Sequence, residues 1–238
     1  MKNIAVIFAG GVGQRMKNAS KPKQFLEVNG KPILVYTIEQ FQNHPQIDHI
    51  VLVCVEAWVD YAEMLIRRYE LTKAQIVIPG GVNGHQSRFL GLKKAMEHYG
   101  NCVVLIHDGV RPLIDRETIT ACIESVKQNG NAVVGTASTE TVATQESSEQ
   151  WRIIPRESCS LLRAPQCFYL EDILALFEQA QADGILDCID SATLMQHYQK
   201  PITIINGPAE NIKITTPLDY FMFKGILEIQ NNKEAFGI

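Results

Sequence analysis

The sequence predicts one α/β domain, residues 1–238, built around a mostly parallel sheet. Strand-like and helix-like segments alternate along most of the chain, which favours a doubly wound sheet with right-handed crossovers. The strand-like segments are continuous apolar runs, the form that parallel strands take when helices cover both faces. Glycines or charged residues follow three of these runs, at the edge where such sheets bind their ligands. We therefore expect a functional crevice beyond the carboxyl ends of the strands.

The individual elements follow from the spacing of apolar residues. An apolar residue every three or four positions predicts a helix, and a short apolar run bounded by turn signals predicts a strand. The predicted strands are residues 4–8, 49–55, 75–78, 102–106, 132–135 and 202–205. The predicted helices are residues 32–41, 58–69, 86–99, 116–128 and 170–182, a segment after Asp190, and a last segment from Pro217.

The alternation stops between about residues 137 and 163. Two β-prone runs, 141–144 and 151–154, flank a polar tip, and this pattern predicts a hairpin arm. An isolated hairpin is marginally stable in water, and Trp151 and Ile153 would be costly to expose. We therefore expect the arm to pack against a second subunit in a homodimer.

Composition argues against several classes of partner and compartment. The net charge of −4 disfavours nucleic acid and anionic membrane surfaces. No apolar run approaches the roughly 20 residues of a membrane span, and we expect no signal peptide. The six cysteines form no C-x-x-C pair. Free buried thiols in a reducing cytoplasm are therefore favoured over disulfides or a zinc site.

The turn after the first predicted strand carries the strongest local signal. Gly10, Gly11 and Gly13 can direct backbone N–H groups toward an anion, and Arg15, Lys21 and Lys23 add positive charge nearby. A dinucleotide fingerprint or a P-loop would need residues that this turn lacks. By itself the turn does not separate a nucleoside triphosphate site from an incidental basic turn. Because glycines and charges follow the other strands at the same edge, a phosphate site is favoured.

Motifs spread over nearly the whole chain add a family resemblance. The sequence resembles the cytidylyltransferases that activate sugar-alcohol phosphates, which comprise the methylerythritol-phosphate and the ribitol-5-phosphate enzymes. Each motif is weak alone, but the ordered set is specific. The motifs are Ala9-Gly10-Gly11-x-Gly13-x-Arg15-Met16, Pro22-Lys23-Gln24-Phe25, Gly80-Gly81 with Ser87, His107-Asp108-x-x-Arg111-Pro112, Glu140-Thr141, Arg156, Pro165-Gln166 and Asn211-Ile212-Lys213-Ile214-Thr215.

The resemblance implies a fold, a reaction and partners. The fold would be the nucleotidyltransferase variant of the Rossmann-like sheet with a protruding β-hairpin arm, in a homodimer whose arms clasp. The reaction would be attack of a polyol phosphate on the α-phosphorus of CTP, with release of pyrophosphate and without a covalent enzyme intermediate. Mg²⁺ or another divalent cation would be the cofactor, since one carboxylate and phosphate oxygens suffice to hold it.

The resemblance also implies roles for individual residues. The residues implied for catalysis are Arg15, Lys23, Asp108 and Lys213, and Asp108 would also help to hold the metal. The residues implied for binding the nucleotide, through backbone groups and one hydroxyl, are Ala9, Gly10, Gly11, Gly13, Gly80, Gly81 and Ser87. The residues implied for binding the acceptor are Arg111, Thr141, Arg156 and Asp190, with Arg156 reaching from the arm into the partner's site.

Simpler interpretations stand beside several of these roles. Lys23 could be a solvated surface lysine, and Asp108 could close a turn or cap a helix. Arg156 could form an ion pair on the surface of the arm. His107 is interpreted as a packing residue and not as a base, because an incoming phosphate has no proton that must be removed.

Departures from the family pattern fall mainly on the acceptor side. Ala164 and Ile189 stand where the family usually has threonine, and Gly84 where it usually has arginine. Hydroxyls that bind a polyol discriminate sharply, so their loss points to a different acceptor pocket. We therefore rank D-ribitol 5-phosphate, a cell-wall or capsule precursor, above 2-C-methyl-D-erythritol 4-phosphate of isoprenoid synthesis. A non-catalytic nucleotide-binding module and an enzyme that uses UTP or GTP are the remaining alternatives.

Overall fold

The computed structural model describes residues 1–10 and 21–236. The strands in this part of the chain are β1 (Asn3–Ala9), β2 (Glu27–Val28), β3 (Lys31–Pro32), β4 (His49–Cys54), β5 (Ile76–Pro79), β6 (Val103–Asp108), β7 (Asn131–Ala137), β8 (Val142–Gln145), β9 (Trp151–Ile154), β10 (Ser160–Tyr169) and β11 (Ile204–Asn206). The helices are α1 (Ile33–Gln42), α2 (Val59–Arg68), α3 (Gly84–Tyr99), α4 (Arg116–Asn129), α5 (Leu170–Ala182), α6 (Ser191–His197) and α7 (Pro217–Phe236).

The central sheet confirms the predicted fold class. Its strand order is β11-β7-β10-β6-β1-β4-β5, and every neighbouring pair is parallel except the two that involve β10. Alternate residues of β1 face opposite layers, since Ala5 and Ile7 pack in one core cluster while Ile4 and Val6 pack in the other. Helices α1, α2 and α4 cover the first layer, and α3, α5 and α6 cover the second.

The register of the parallel strands brings their carboxyl ends together. Phe8 of β1 pairs with Asp108 of β6, and Ala9 pairs with Cys54 of β4. Cys54 in turn pairs with the last residue of β5, directly before Gly80. Gly10, Gly80 and Asp108 therefore stand side by side at one margin of the sheet, which we call the sheet edge. The predicted crevice thus has the expected location.

The strand β10 was not among the predicted elements. It runs antiparallel between β6 and β7, and its ladder with β7 shifts register between Leu162 and Gln166. Arg163 and Pro165 interrupt the apolar pattern there, and proline cannot donate to a ladder, so the segment lacks a strand signature. Its first residues, Ser160 to Leu162, lie within the range predicted for the arm but pair with β7 in the central sheet.

The predicted hairpin arm is present as the antiparallel pair β8–β9, and we call this pair with its flanking residues, 141–158, the arm. Trp151 is 61% exposed and Ile153 is 63% exposed in the single chain. The apolar side chains that the sequence analysis expected a second subunit to cover are therefore exposed to water in the single chain. All six cysteines are free, and among the described residues no helix combines the length and apolarity needed to cross a membrane.

Candidate active site

A cavity of about 540 Å³ opens at the sheet edge. It is lined by the end of β1, the first turns of α3, the turn after β6, the middle of β10 and the segment before α7. Of the predicted site residues, those that line it are Ala9, Gly10, Lys23, Gly81, Ser87, Asp108, Arg111, Asp190 and Lys213. The structure therefore brings together residues from every third of the chain.

Asp108 is the centre of the charge arrangement in this cavity. Its Oδ1 lies 2.7 Å from Nζ of Lys213, and its Oδ2 accepts a hydrogen bond of 2.8 Å from Nε of Arg111. Burial raises the pKa of the Asp108 carboxyl, but the charges of Lys213 and Arg111 outweigh burial and hold this pKa well below its usual range. The carboxylate is therefore ionised at neutral pH and orients both cations.

Backbone and side-chain contacts hold the two cations in place. Nη1 of Arg111 donates to the carbonyl of Asn211 over 2.9 Å, which ties the turn after β6 to the segment that carries Lys213. The amide of Ile214 donates to the carbonyl of Val110 over 2.9 Å, and the Ile214 side chain is fully buried. The backbone position of Lys213 is thus set by a buried neighbour, and Asp108 orients its side chain.

His107 lies beneath this arrangement. Its ring is buried against Phe41, with ring centroids 4.9 Å apart, and its Nε2 is 3.0 Å from the carbonyl oxygen of Arg111. Burial lowers the pKa of His107 to about 4. A neutral imidazole that packs and supports the Arg111 turn is the role predicted from the sequence.

Lys23 reaches the cavity from a short 3-10 turn, Lys23–Phe25, that two neighbouring side chains anchor. The buried Gln24 donates from Nε2 to the carbonyl of Ala9 over 2.6 Å. Phe25 is fully buried and stacks on Trp58 with ring centroids 5.0 Å apart. The turn that carries Lys23 is therefore fixed directly to the end of β1.

Ser87 joins the glycine turns at the ends of β1 and β5. Its Oγ accepts from the amide of Gly81 over 3.1 Å and donates to the carbonyl of Asn83 over 2.7 Å. A Cβ at Gly80 would lie 3.0 Å from this oxygen, and a Cβ at Gly10 would lie 3.7 Å from it. A side chain at Gly80 would therefore crowd the Ser87 hydroxyl, although Gly80 itself does not line the cavity.

Asp190 and the two arm residues have other contacts in the single chain. Asp190 caps α6 by accepting from the amide of Thr193 over 2.8 Å, and its other oxygen accepts from Gln166 over 3.1 Å. Arg156 pairs with Glu157 at 3.4 Å on the exposed surface of the arm, and neither Arg156 nor Thr141 lines the cavity. The predicted acceptor roles of these three residues stay predictions.

Part of the predicted site lies outside the described residues. These positions are Gly11, Gly13 and Arg15. Their predicted nucleotide and catalytic roles are neither supported nor contradicted by the geometry.

Several cavity residues were not singled out from the sequence. Arg88 and Arg163 line the cavity as further cations, and the buried Gln166 accepts from the amide of Ala192 over 3.0 Å. Gln166 could have been found from the sequence, because it stands in the Pro165-Gln166 motif. Arg88 could not, because no local pattern distinguishes it from a surface helix residue. Nη1 of Arg88 lies 3.6 Å from where a Cβ at Gly84 would be, so its guanidinium occupies space beside the position where the resemblance expects arginine.

The cavity is strongly cationic in a chain whose net charge is −4. Its described lining includes two carboxylates, Asp108 and Asp190, and the cations Lys23, Arg88, Arg111, Arg163 and Lys213. A concave site with this excess of positive charge attracts polyanions, and fixed donors inside it stabilise charge that develops on phosphates.

Comparison with known proteins identifies the family. The sequence profile of the IspD family, 2-C-methyl-D-erythritol 4-phosphate cytidylyltransferase, matches residues 3–229. The chain belongs to this family. It is 50% identical over 240 residues to a protein of Streptococcus agalactiae serotype V named ribitol-5-phosphate cytidylyltransferase, and the match covers 100% of both chains.

More distant IspD-family members share the same fold. The chain is 34% identical over 228 residues to 2-C-methyl-D-erythritol 4-phosphate cytidylyltransferase of Clostridium acetobutylicum, with 95% of this chain and 97% of that one covered. The crystal structure of 4-diphosphocytidyl-2C-methyl-D-erythritol synthase from Anaerococcus prevotii matches with a TM-score of 0.83 at 27% identity. That match covers 95% of this chain and 96% of the other.

Proposed function

We propose that this protein transfers CMP from CTP to D-ribitol 5-phosphate, giving CDP-ribitol and pyrophosphate. The observation that carries the proposal is the cationic cavity in which Asp108, Arg111 and Lys213 face Lys23 and the glycine turns. Family membership supports the cytidylyltransferase reaction. The 50% identity to a relative named for ribitol 5-phosphate, against 34% to one named for 2-C-methyl-D-erythritol 4-phosphate, supports the acceptor.

The reaction needs the acceptor phosphate held in line with the α-phosphorus of CTP. The cations beside Asp108 have unused N–H groups that can bind the acceptor phosphate. Arg111 carries five N–H groups and uses two, on Asp108 and Asn211. Lys213 carries three N–H groups and directs one toward Asp108. Both cations can therefore bind the acceptor phosphate without leaving Asp108, and a phosphate oxygen placed there would attack the α-phosphorus of CTP. Positioning of this kind supplies much of the rate in phosphoryl transfer.

The other side of the cavity suits the nucleotide. Lys23 would bind the triphosphate together with Arg15, whose role the resemblance implies. Both would offset the charge that develops as pyrophosphate leaves. Backbone groups at Gly10 and Gly81 would contact the cytosine, since a larger side chain there would fill the base site. Ser87 has one acceptor lone pair left after its bonds to Gly81 and Asn83.

A divalent cation fits the donors that the cavity offers. Both Asp108 oxygens accept from a cation, yet each has a further lone pair. In the described part of the chain no three His, Cys, Asp or Glu side chains gather as a metal site, so substrate phosphates would have to supply the other ligands. Mg²⁺ accepts such a set, with one carboxylate, phosphates and waters. When bound, Mg²⁺ would neutralise phosphate charge.

The assembly and the setting of the enzyme are also proposals. The exposed Trp151 and Ile153 of the arm support a homodimer in which Arg156 and Thr141 complete the partner's acceptor site. Six free cysteines support a reducing cytoplasm. The product would then serve as a precursor of cell-wall or capsule polymers.

The proposal is tested by pyrophosphate release from CTP and Mg²⁺ with a panel of polyol phosphates. We expect the highest kcat/KM with ribitol 5-phosphate and a lower value with 2-C-methyl-D-erythritol 4-phosphate, the acceptor in the family's name. The reverse order would favour the isoprenoid enzyme. No turnover with any acceptor would favour a nucleotide-binding module, and displacement of CTP by UTP or GTP at equal concentration would reject the cytidine assignment.

A further inference from the structure

The loop from Gly184 to Asp190 contributes Ile189 and Asp190 to the lining of the cavity, and side chains of α3 and its N-cap hold this loop. Nδ2 of Asn83 donates to the carbonyl of Leu186 over 2.9 Å. The amide of Cys188 donates to Nδ1 of His85 over 3.4 Å, and the carbonyl of Cys188 accepts from Nη2 of Arg88. Three contacts therefore join a loop and a helix that are about 100 residues apart in the sequence.

Arg88 makes the charged contact of the three. Burial lowers the pKa of Arg88, and the charges of the Asp108 and Asp190 carboxylates oppose this lowering. Its Nε is buried without a hydrogen-bond partner, and its Nη1 lies over Gly84, which has no side chain to displace it. Losing the contact with the Cys188 carbonyl would leave a further donor of this half-buried guanidinium unpaired, which favours the contact.

The loop is held on both sides of Ile189, at Cys188 and at Asp190. Cys188 is held by Arg88, and Asp190 is held as the N-cap of α6 and by Gln166. Ile189 is therefore fixed at both ends, and its side chain lines the cavity although it is 81% exposed. Ile189 therefore presents an apolar side chain that a ligand in the cavity can contact.

Ser87, directly before Arg88, holds the glycine turn that lines another part of the cavity. Ser87 binds the amide of Gly81 in the glycine turn, while Arg88 binds the loop. Consecutive residues of α3 thus fix the proposed nucleotide side and the proposed acceptor side relative to each other.

We propose that Arg88 is a positioning residue for acceptor specificity: by holding the Cys188 carbonyl, it fixes Ile189 and Asp190 as the wall against which the polyol chain is selected. This inference rests on the proposed function for its substrate, but the contact itself can be tested without turnover. Arg88 acts through the loop and is given no contact with the reacting atoms.

The test compares Arg88→Met, Arg88→Lys and the control Lys94→Met with the wild type. Methionine keeps much of the buried stem but removes every donor, and lysine keeps a charged donor. Lys94 is a partly exposed residue of the same helix that pairs with Glu97 at 3.3 Å. Hydrogen exchange of the amides in 185–190 and kcat/KM for the two acceptors are measured, with the KM for CTP and the Tm.

For Arg88→Met we expect faster exchange in the loop and a loss of preference between the two acceptors of about tenfold, with the KM for CTP within about twofold. Arg88→Lys should recover part of the preference, and Lys94→Met should match the wild type. Unchanged exchange, or an equal loss with both acceptors and CTP, would overturn the inference.

If the wild type turns over no acceptor, the proposed function fails separately. Loop exchange and the affinity for ribitol 5-phosphate then decide the inference. Faster exchange with weaker binding in Arg88→Met supports it, and no change in either rejects it.

Discussion

Lys213 and Arg156, two cations assigned to the reaction by the same resemblance, lie in opposite surroundings. Lys213 is 2.7 Å from a partly buried carboxylate whose other oxygen holds Arg111, and its neighbour Ile214 is in the core. Arg156 pairs at 3.4 Å with the adjacent Glu157 on an exposed hairpin. Exposed ion pairs of that kind contribute about 0–1 kcal/mol and impose little geometry.

The difference shows which half of the proposed acceptor site one chain can build alone. The sheet edge has its charges already oriented, so binding a phosphate there requires little rearrangement. The arm has no underlying core, and its apolar side chains face solvent in the single chain. An arm residue can contribute to catalysis only when another surface fixes it, and this consideration underlies the proposed dimer.

The largest effect is expected at the sheet edge. Lys23→Ala should lower kcat by about 100- to 1,000-fold, because a fixed cation that offsets transition-state charge is lost. Lys127→Ala is the matched control: Lys127 is exposed on α4 and pairs with Glu124 at 2.8 Å, so its loss should change kcat by less than about twofold. Steady-state pyrophosphate release measures both. Near-normal turnover by the Lys23 variant would remove Lys23 from the catalytic set.

The comparison between the sheet edge and the arm is tested most directly by mixing variants. Lys213→Ala and Arg156→Ala should each weaken use of the acceptor by about tenfold or more, since each removes a charged contact to its phosphate. In a heterodimer of the two, one site would lack both residues and the other would have both. About one working site per heterodimer should therefore reappear on mixing, as measured by activity after exchange of subunits.

The same experiment has a clear contrary result. If mixed samples are no more active than the average of the two variants, the arm does not complete the partner's site. Arg152→Ala is a suitable control, because Arg152 also lies on the arm but pairs with Glu146. Its loss should leave turnover near the wild-type value.

Acidic pH should lower the free energy of unfolding through His107, which lies under Arg111 at the sheet edge, whereas the arm contains no histidine. Burial lowers the pKa of His107 from 6.5 to about 4, so the unfolded chain binds this proton first as the pH falls. The contribution of neutral His107 to the free energy of unfolding is complete above pH 6.5. It is lost between pH 6.5 and 4, by up to about 3 kcal/mol. His107→Asn should flatten the fall in unfolding free energy over this window, as measured by urea denaturation. An unchanged slope would contradict the assignment.

The smallest effect is expected at the cavity wall. Ile189→Thr restores a hydroxyl where the family usually has one, and we expect kcat/KM to shift severalfold, about 1 kcal/mol, toward 2-C-methyl-D-erythritol 4-phosphate. Acceptor competition assays measure the shift. An unchanged acceptor profile would show that Ile189 does not take part in selection.

Some features of the molecule could be read from local sequence. The parallel strands and amphipathic helices were predicted nearly to their observed bounds, because apolar periodicity depends only on neighbouring residues. Gly10, Gly80 and Asp108 could be assigned to one edge because parallel strands must end together. His107 could be interpreted as a packing residue because it follows a buried strand.

Other features depended on contacts that no local pattern encodes. Strand β10 lies in the middle of the sheet although Arg163 and Pro165 interrupt its sequence, because two neighbouring strands supply its hydrogen bonds. The partners of Asp190 and the role of Arg88 follow from a loop and a helix about 100 residues apart. The sequence by itself determined the elements, the family and the kind of chemistry. Only the tertiary structure decided which charges meet, because pairing across the chain depends on how the layers pack.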